Sequence, residues 1–397
     1  MIIGYFCSHF PYKNLLTEAD YAEQYSHGGT ETVAYFLATK MAQRGHQASV
    51  FTSSIDSKDS TGIQEGVVVH RYGTNFKIES ANISSKMFWK PLKEQVDLVH
   101  AHFSTPPGEL AGLWYAKRRR IPLILTYHGD APEGYGKFMR RLSLSLYNKY
   151  VLDKLLSYAR IIISPSEYYV NESRFLGKYQ DKLVVIPNGV EAQDFEVPYS
   201  AKECREIVGL PPDRNIILFV GDLVPYKGPD VLLKAMPRVI KSVPKSELVF
   251  VGRGELRKDL EDLSVRLGIE NCVRFTGFIG GESKALYYKS ADVFVLPSTM
   301  TKEVSPLVLL EAALSGLPLV VSDLQTFKST VVDGFNGLVT KRGDESALAN
   351  AILRLLENQD LRNRMSRNAK EKAKDYSWDK IAEKTERVYE QVLKCQR

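Results

Sequence analysis

Two glutamates eight residues apart, Glu303 and Glu311, have the type and spacing to do chemistry in this chain. The apolar run Val293–Leu296 before them reads as a buried strand, and Ala312 to Leu314, followed by Gly316 and Pro318, reads as a helix end, a stop and a new strand. Glu303 is therefore expected in the loop after a strand, and Glu311 roughly two turns into the next helix. Open α/β sheets bind ligands at the carboxyl ends of parallel strands. A carboxylate there accepts hydrogen bonds from hydroxyl groups. Two of them suit a ligand with two sugar rings, such as a nucleotide sugar.

A second set of residues suits an anion. Gly221-Asp222 and, a few residues on, Lys227-Gly228-Pro229 follow another apolar run. Proline favours the first helical position, so Lys227 is expected just before a helix N-terminus, where a cation and free backbone amides can hold a diphosphate. The bland alternative is a solvated loop lysine. Gly28-Gly29-Thr30-Glu31 opens the first helix, where glycine lets a ligand approach the backbone, or simply makes a turn. Gly252-Arg253-Gly254 reads as a strand-end turn. His100 and His102 share one strand face, a spacing that could bind metal, but no cysteine or carboxylate cluster completes a shell and no metal is expected. His128 ends a strand and enters a loop with Gly129 and Asp130; it either faces a cleft or is a hydrogen-bonded rim histidine. The chain has no Asp-x-Asp triplet to carry a divalent ion between phosphates and no Ser/His/Asp or Cys/His nucleophile signature. Lys227 and backbone dipoles would have to neutralise a leaving diphosphate.

The elements that must position these residues alternate in type. Strands are expected at Ala48–Thr52, Val67–His70, Leu98–Phe103, Leu123–Tyr127, Ile161–Ser164 and Leu183–Pro187, after a first short run at Ile2–Cys7. A second set spans Ile216–Val220, Leu248–Val251, Val273–Thr276, Val293–Leu296, Leu319–Val321 and Leu338–Thr340. Helical patterns lie between them, so the fold class is α/β with mainly parallel sheets. Pro198, Pro211 and Pro212 break the pattern. The expected organisation is a first domain over 1–196, a linker at 197–213, a second domain over 214–375 and a terminal helix within 376–397 that packs back on the first domain. Two such domains would face a cleft.

At 397 residues the chain is long enough for two domains, and its 44% hydrophobic and 25% charged content is that of a soluble globular protein. Its four scattered cysteines fit reduced thiols in a cytoplasmic protein rather than disulfides or zinc. Neither a signal peptide nor an apolar run long enough to span a bilayer is read. The net charge of +6 makes anionic partners plausible and points to no nucleic acid. The segment 137–160 carries Lys137, Arg140, Arg141, Lys149, Lys154 and Arg160 among Phe138, Tyr147, Tyr150 and Tyr158. It reads equally as a helix on an anionic membrane surface, at the inner face, or as a packed helix with a solvated basic side. Lys117 to Arg120 reads as a helix end complementing its dipole.

Taken together, Gly28-Gly29-Thr30-Glu31, the Gly221 to Gly228 loop, Ile186-Pro187-Asn188-Gly189-Val190, Ala291 to Ser298 and the Glu303/Glu311 pair resemble the retaining GT-B glycosyltransferases of family 4, group 1 type. The resemblance runs from Gly4 to the last helix, and it rests on the combination and order of the motifs rather than on any one of them. It implies a GT-B fold of two Rossmann-like domains with parallel sheets facing a central cleft. It also implies a nucleotide-sugar donor, UDP- or GDP-linked before ADP-linked, a hydroxyl acceptor, no metal and no cofactor.

The family's roles carry over as follows. Glu311 holds the ribose, and Glu303 meets the transferred sugar beside the backbone of Val304, Ser305, Pro306 and Leu307. Lys227 neutralises the diphosphate next to Gly221. Gly28 and Gly29 close over phosphates and acceptor. His128 lies near the sugar, with Asp130 and Asn188 in neighbouring motifs. Gly277, Phe278 and Ile279 meet the base. The sequence departs from the family at Asp222, where an arginine is usual, and at Pro306, where glycine is usual. A carboxylate repels a diphosphate, so Arg253 is a candidate substitute cation. Asp222 also leaves open a non-catalytic nucleotide-sugar sensor, and a disaccharide synthase or epimerase of the same fold differs only in its acceptor.

Overall fold

The computed structural model describes residues 1–12, 28–78, 81–103, 106–130 and 138–395. The polar loop before Gly28 and Lys137 lie outside the described residues, as do the side chains of Phe138, Arg140 and Arg141. The chain divides into two compact units, one of residues 1–188 with 378–397, the other of residues 189–377.

The first unit is built on β1 (Ile2–Phe6), β2 (Gln47–Ser53), β3 (Ser60–Gln64) and β4 (Val67–Tyr72), followed by the small antiparallel pair β5 (Phe76–Ile78) and β6 (Ala81–Ile83). It is completed by β7 (Leu98–Phe103), β8 (Leu123–Tyr127), β9 (Ile161–Ser164) and β10 (Leu183–Val185). The main sheet runs β10-β9-β8-β7-β1-β2-β4-β3, parallel except for β3 on β4. Every residue of β7 and β8 is buried. That burial extends to the polar His100, His102 and Thr126, because a parallel sheet is covered by helices on both faces.

Helix Trp378–Lys394 belongs to this unit. Its buried stripe of Trp378, Ile381, Thr385, Val388, Tyr389 and Val392 recurs at helical spacing. Trp378 stacks on Phe36 of helix Gly29–Gln43 with ring centroids 5.1 Å apart, and Tyr389 hydroxyl meets Tyr5 hydroxyl at 3.1 Å and His100 Nδ1 at 2.5 Å.

The second unit is one six-stranded parallel sheet of β11 (Asn215–Val220), β12 (Ser246–Val251), β13 (Val273–Gly277), β14 (Val293–Leu296), β15 (Leu319–Ser322) and β16 (Gly337–Thr340). Its order is β13-β12-β11-β14-β15-β16. Both units are therefore Rossmann-like, and the α/β expectation holds.

The linker expected at 197–213 is corrected. Ser200 and Glu203 form a capping box there, with Ser200 N–H donating to Glu203 Oε2 at 2.7 Å, and the prolines only flank the helix Ala201–Ile207 that it starts. Arg205 ties that helix into the second unit through Asp292 Oδ2 at 2.8 Å and the Ser290 carbonyl at 2.8 Å. Among the described residues, no helix is long and apolar enough to cross a membrane.

Candidate active site

Strands β13, β12, β11 and β14 end side by side at one edge of the second sheet. The strand order runs outward in both directions from β11, so its carboxyl end is the switch point at which open α/β sheets bind ligands. Gly221, Gly252 and Gly277 stand at the ends of β11, β12 and β13. Gly252 has φ +150° and donates its N–H to the Gly277 carbonyl at 2.8 Å, and a Cβ on it would stand 2.0 Å from the Gly221 carbonyl oxygen. Only bare backbone fits there. The result is a floor of peptide groups that a ligand can approach closely.

The loop after β11 is clamped onto the end of β14. Thr299 N–H donates to the Tyr226 carbonyl at 2.8 Å. Lys227 follows in a short 3₁₀ turn, Gly228 caps, and Pro229 opens helix Pro229–Ser242. The Lys227 side chain lies back over Gly221, where a Cβ would be 3.4 Å from Nζ, and Gly221 itself has φ +145°. Lys227 Nζ comes within 2.8 Å of Glu303 Oε1, in the loop after β14. Opposite charge holds the pair, and the ammonium's hydrogen bond to the carboxylate adds to it. Burial alone would lower the Lys227 ammonium, but the Glu303 carboxylate, helped by Tyr226 and Asp222, holds it above its ordinary value.

Val304 is buried, and Ser305, Pro306 and Leu307 are half-buried. Helix Leu307–Leu314 starts right after Pro306. Glu311 is its fifth residue, so it lies about one turn in rather than two. Both of its oxygens face helix Gly281–Ser290. Lys284 Nζ donates to Oε1 at 2.8 Å and the buried Tyr288 hydroxyl donates to Oε2 at 2.7 Å. Sequence reasoning missed Lys284 and Tyr288. The available signal was their spacing of four, which puts both on one helix face.

Phe278 and Ile279 follow β13, half-buried. Arg253 sits with its guanidinium carbon 5.6 Å from the Phe278 ring centroid. Asp222 is exposed. Crowding by protein raises its carboxyl above the ordinary aspartate range, with Glu303 adding, while the Lys227 and Arg253 charges oppose the rise. Arg253 is thus within charge reach of Asp222.

In the first unit, His102 Nδ1 meets His128 Nε2 at 3.0 Å, and His100 lies beneath with its centroid 4.6 Å from that of His102. Burial keeps all three imidazoles neutral, lowering His100 and His128 to about 3 and His102 well below its ordinary value. His102 Nε2 is buried without a partner among the described residues. A bare ring nitrogen costs less there than an orphaned N–H, so His102 donates from Nδ1, and neutral His128 carries its proton on Nδ1.

Asp130 ties its loop to the segment after helix Glu167–Glu172, accepting from Tyr127 at 2.8 Å, Ser173 at 2.7 Å and Arg174 N–H at 2.9 Å. Its geometry supports holding the loop rather than touching a ligand. Asn188 is buried at the end of the first unit's main segment. Gly28 and Gly29 are exposed, and the Gly28 amide is already taken by Glu31 Oε2 at 2.8 Å. No group of three potential metal ligands is found among the described residues.

Known proteins share this sequence pattern and fold. The family model described as Glycosyl transferases group 1 matches residues 200–372, and that described as Glycosyltransferase Family 4 matches residues 27–194. The chain is 32% identical over 349 residues to the O-antigen chain mannosyltransferase C of Escherichia coli, covering 87% of this chain and 89% of that protein. It is 29% identical over 379 residues to the phosphatidyl-myo-inositol mannosyltransferase of Mycobacterium leprae, covering 92% and 93%. The crystal structure of Anabaena HepE in complex with UDP-glucose superposes with a TM-score of 0.75 over 98% of this chain and 100% of that one, at 20% identity, a likeness of fold alone.

Proposed function

The chain belongs to the group 1, family 4 glycosyltransferases, and on that premise we propose that it moves a sugar from a nucleoside diphosphate to a hydroxyl acceptor with retention of anomeric configuration, without a metal. The observation that carries this reading is the Lys227–Glu303 pair above the glycine floor of the second unit. One cation and one carboxylate at the switch point match one diphosphate and one hydroxyl-bearing ring.

When a donor enters, its diphosphate competes with Glu303 for Lys227. The ammonium turns to the phosphate, and Glu303 is released to accept from the sugar hydroxyls. Glu311 accepts from the ribose, and Phe278 and Ile279 border the base. Arg253 supplies the second positive charge that Asp222 does not. As the bond from the anomeric carbon to the diphosphate oxygen breaks, negative charge grows on the diphosphate, and Lys227 stabilises it most in the transition state. The acceptor oxygen bonds to the anomeric carbon on the same face, and its proton passes to the departing diphosphate oxygen. The products are a glycoside and a nucleoside diphosphate. In this reading His128, as a neutral Nδ1–H donor, serves a sugar hydroxyl.

The donor is UDP- or GDP-linked in this reading, supported by the UDP-glucose bound to Anabaena HepE. The protein acts in the cytoplasm, at the inner face of a membrane. Leu142 and Leu146, one turn apart and 44% and 50% exposed, and Tyr150, 54% exposed, share the helical segment 138–158 with the exposed Lys149 and Lys154, and Lys149 Nζ lies 5.1 Å from the Tyr150 ring centroid. Apolar side chains next to cations favour an anionic lipid surface over plain solvent.

The test is to incubate the purified protein, with chelator, with a panel of UDP-, GDP- and ADP-sugars and candidate acceptors. Nucleoside diphosphate release matched by an acceptor-linked product of retained configuration is expected. Binding without release would favour the sensor reading that Asp222 raises, and activity that vanishes with chelator would end the metal-free mechanism.

A further inference from the structure

A second, unrelated pocket opens at the opposite, amino-terminal edge of the first sheet, where β8 and β9 begin. It is a cavity of about 380 Å³ lined by Arg120, Arg160, Tyr158, Ile121, Leu123 and Val392, among others. That size falls within the range of small-molecule sites.

Its charge is not balanced among the described residues. Neither Arg120 nor Arg160 forms an ion pair with any described carboxylate. Lys117 adds a third cation nearby, its Nζ 5.1 Å from the Tyr158 ring centroid. Both arginines are exposed, and their backbones are anchored, Arg120 N–H donating to the Ala116 carbonyl and Arg160 N–H to the Leu123 carbonyl at 2.8 Å. The half-buried Ile121 and Tyr158 make a largely apolar wall beside them, backed by the buried Leu123 and Val392.

Arg120 also sits in the wrong backbone conformation for an arginine. It caps helix Gly108–Arg119 at φ 56°, ψ 42°, in the left-handed region. Glycine takes that position without strain and is the usual choice at a helix end. A strained residue that places a guanidinium in a cavity points to a role for that guanidinium.

We propose that this pocket binds a small soluble phosphate ester, of sugar-phosphate or mononucleotide size, its phosphate between Arg120 and Arg160 and its ring against the apolar wall. Planar guanidinium forks match phosphate oxygens in pairs. The site is separate from the donor site, which lies in the other unit.

The experiment uses the full chain carrying Lys227→Ala, so that the second unit's anion site does not dominate, and calorimetric titration with inorganic pyrophosphate and with UMP. Saturable binding is expected, weakened about tenfold or more by Arg120→Gly and by Arg160→Gln, since a charge-assisted contact is lost. Arg120→Gly should melt at or above its parent, because glycine relieves the strained cap, so lost binding cannot be blamed on unfolding. The proposal is overturned by absence of saturable binding, by unchanged affinity in both variants, or by arginine-dependent binding to phosphatidic acid vesicles with none to the soluble esters.

Discussion

Lys227 Nζ lies 2.8 Å from Glu303 Oε1, and only 12% and 8% of the two side chains are exposed. The pair joins the loop after β11 to the loop after β14, two neighbouring strands that are distant in sequence. A buried pair of this kind contributes little net stability against an apolar equivalent, but removing one partner strands the other charge, at about 3–5 kcal/mol. The cation a diphosphate needs is therefore stored against the carboxylate that the sugar needs.

Lys227→Ala should lower kcat more than it lowers ground-state donor affinity, because charge on the diphosphate grows as the bond breaks. It should also lower the melting temperature by stranding Glu303. Lys227→Met with Glu303→Gln should recover the melting temperature and not the turnover. The raised Lys227 pKa sets the sign with pH: the pair's contribution is complete below the ordinary lysine value and is lost only as pH rises beyond it. Melting curves between pH 7 and 9 should show no loss from this pair. Equal effects on kcat and affinity would leave Lys227 a binding residue only.

Glu311→Gln and Glu311→Ala should separate binding from folding. The glutamine keeps an acceptor for the buried Tyr288 hydroxyl, whereas alanine leaves that hydroxyl and Lys284 unmatched. Both should weaken nucleotide binding by about 1.5–3 kcal/mol, as a hydrogen bond to a charged group is lost. Only alanine should also lower the melting temperature clearly. Isothermal titration with UDP and GDP decides the first point, and unchanged affinity in both variants would remove Glu311 from the ribose site.

Much of this was legible because parallel strands buried on both faces are mostly apolar, as in Ile216–Val220 of β11 and Leu248–Val251 of β12. The edge strand β3 and the β5–β6 pair were missed because their residues are largely polar or exposed, Ile63 at 79% and Phe76 at 56% among them. Glu303 and Lys227 were each picked out by local pattern, but their contact depends on which strands are neighbours, and no local spacing encodes that. Gly252 looked like an ordinary turn. Its constraint comes from the Gly221 carbonyl 2.0 Å from where its Cβ would be, a contact between two strand ends. The capped helix at 201–207 was masked by the prolines around it.

Glu109 gives the first unit a distinct response to pH. It is fully buried at the start of helix Gly108–Arg119, accepts from Tyr147 hydroxyl at 2.8 Å, and burial pushes its carboxyl up to about 7. The folded state binds the proton more tightly, so stability falls as pH rises from the ordinary carboxylate value through 7, and the loss is complete above it. Glu109→Gln, uncharged throughout, should match the parent near pH 5 and melt higher at pH 8. An offset that is the same at both pH values would mean that Glu109 is not buried as a neutral acid.

The histidine stack has the opposite sign. His100 and His128 are lowered to about 3, so the unfolded chain binds their protons first and stability is lost as pH falls through the ordinary histidine value. His128→Asn should reduce the slope of stability against pH between 5 and 6 by about 1.4 kcal/mol per pH unit, one proton's worth. Denaturant melts at three pH values measure this, and an unchanged slope would put a charged His128 in place of the neutral one.

Asp222→Arg tests the departure from the family directly. Asp222 is coupled by charge to Lys227 and Arg253, and its carboxyl is raised by crowding against protein. An arginine there would bring a second fork to the diphosphate and remove a repulsive charge. Donor affinity should rise, and the gain should shrink with added salt, since exposed charges are screened within about 10 Å at 0.1 M. With Arg253→Ala the parent should lose affinity, whereas the Asp222→Arg variant should lose less, because the new cation takes over from Arg253. If Asp222→Arg binds donor more weakly than the parent, Asp222 has work of its own, either holding Arg253 toward Phe278 or accepting a donor hydroxyl. The diphosphate would then sit farther from the end of β11 than the Lys227–Glu303 pair implies.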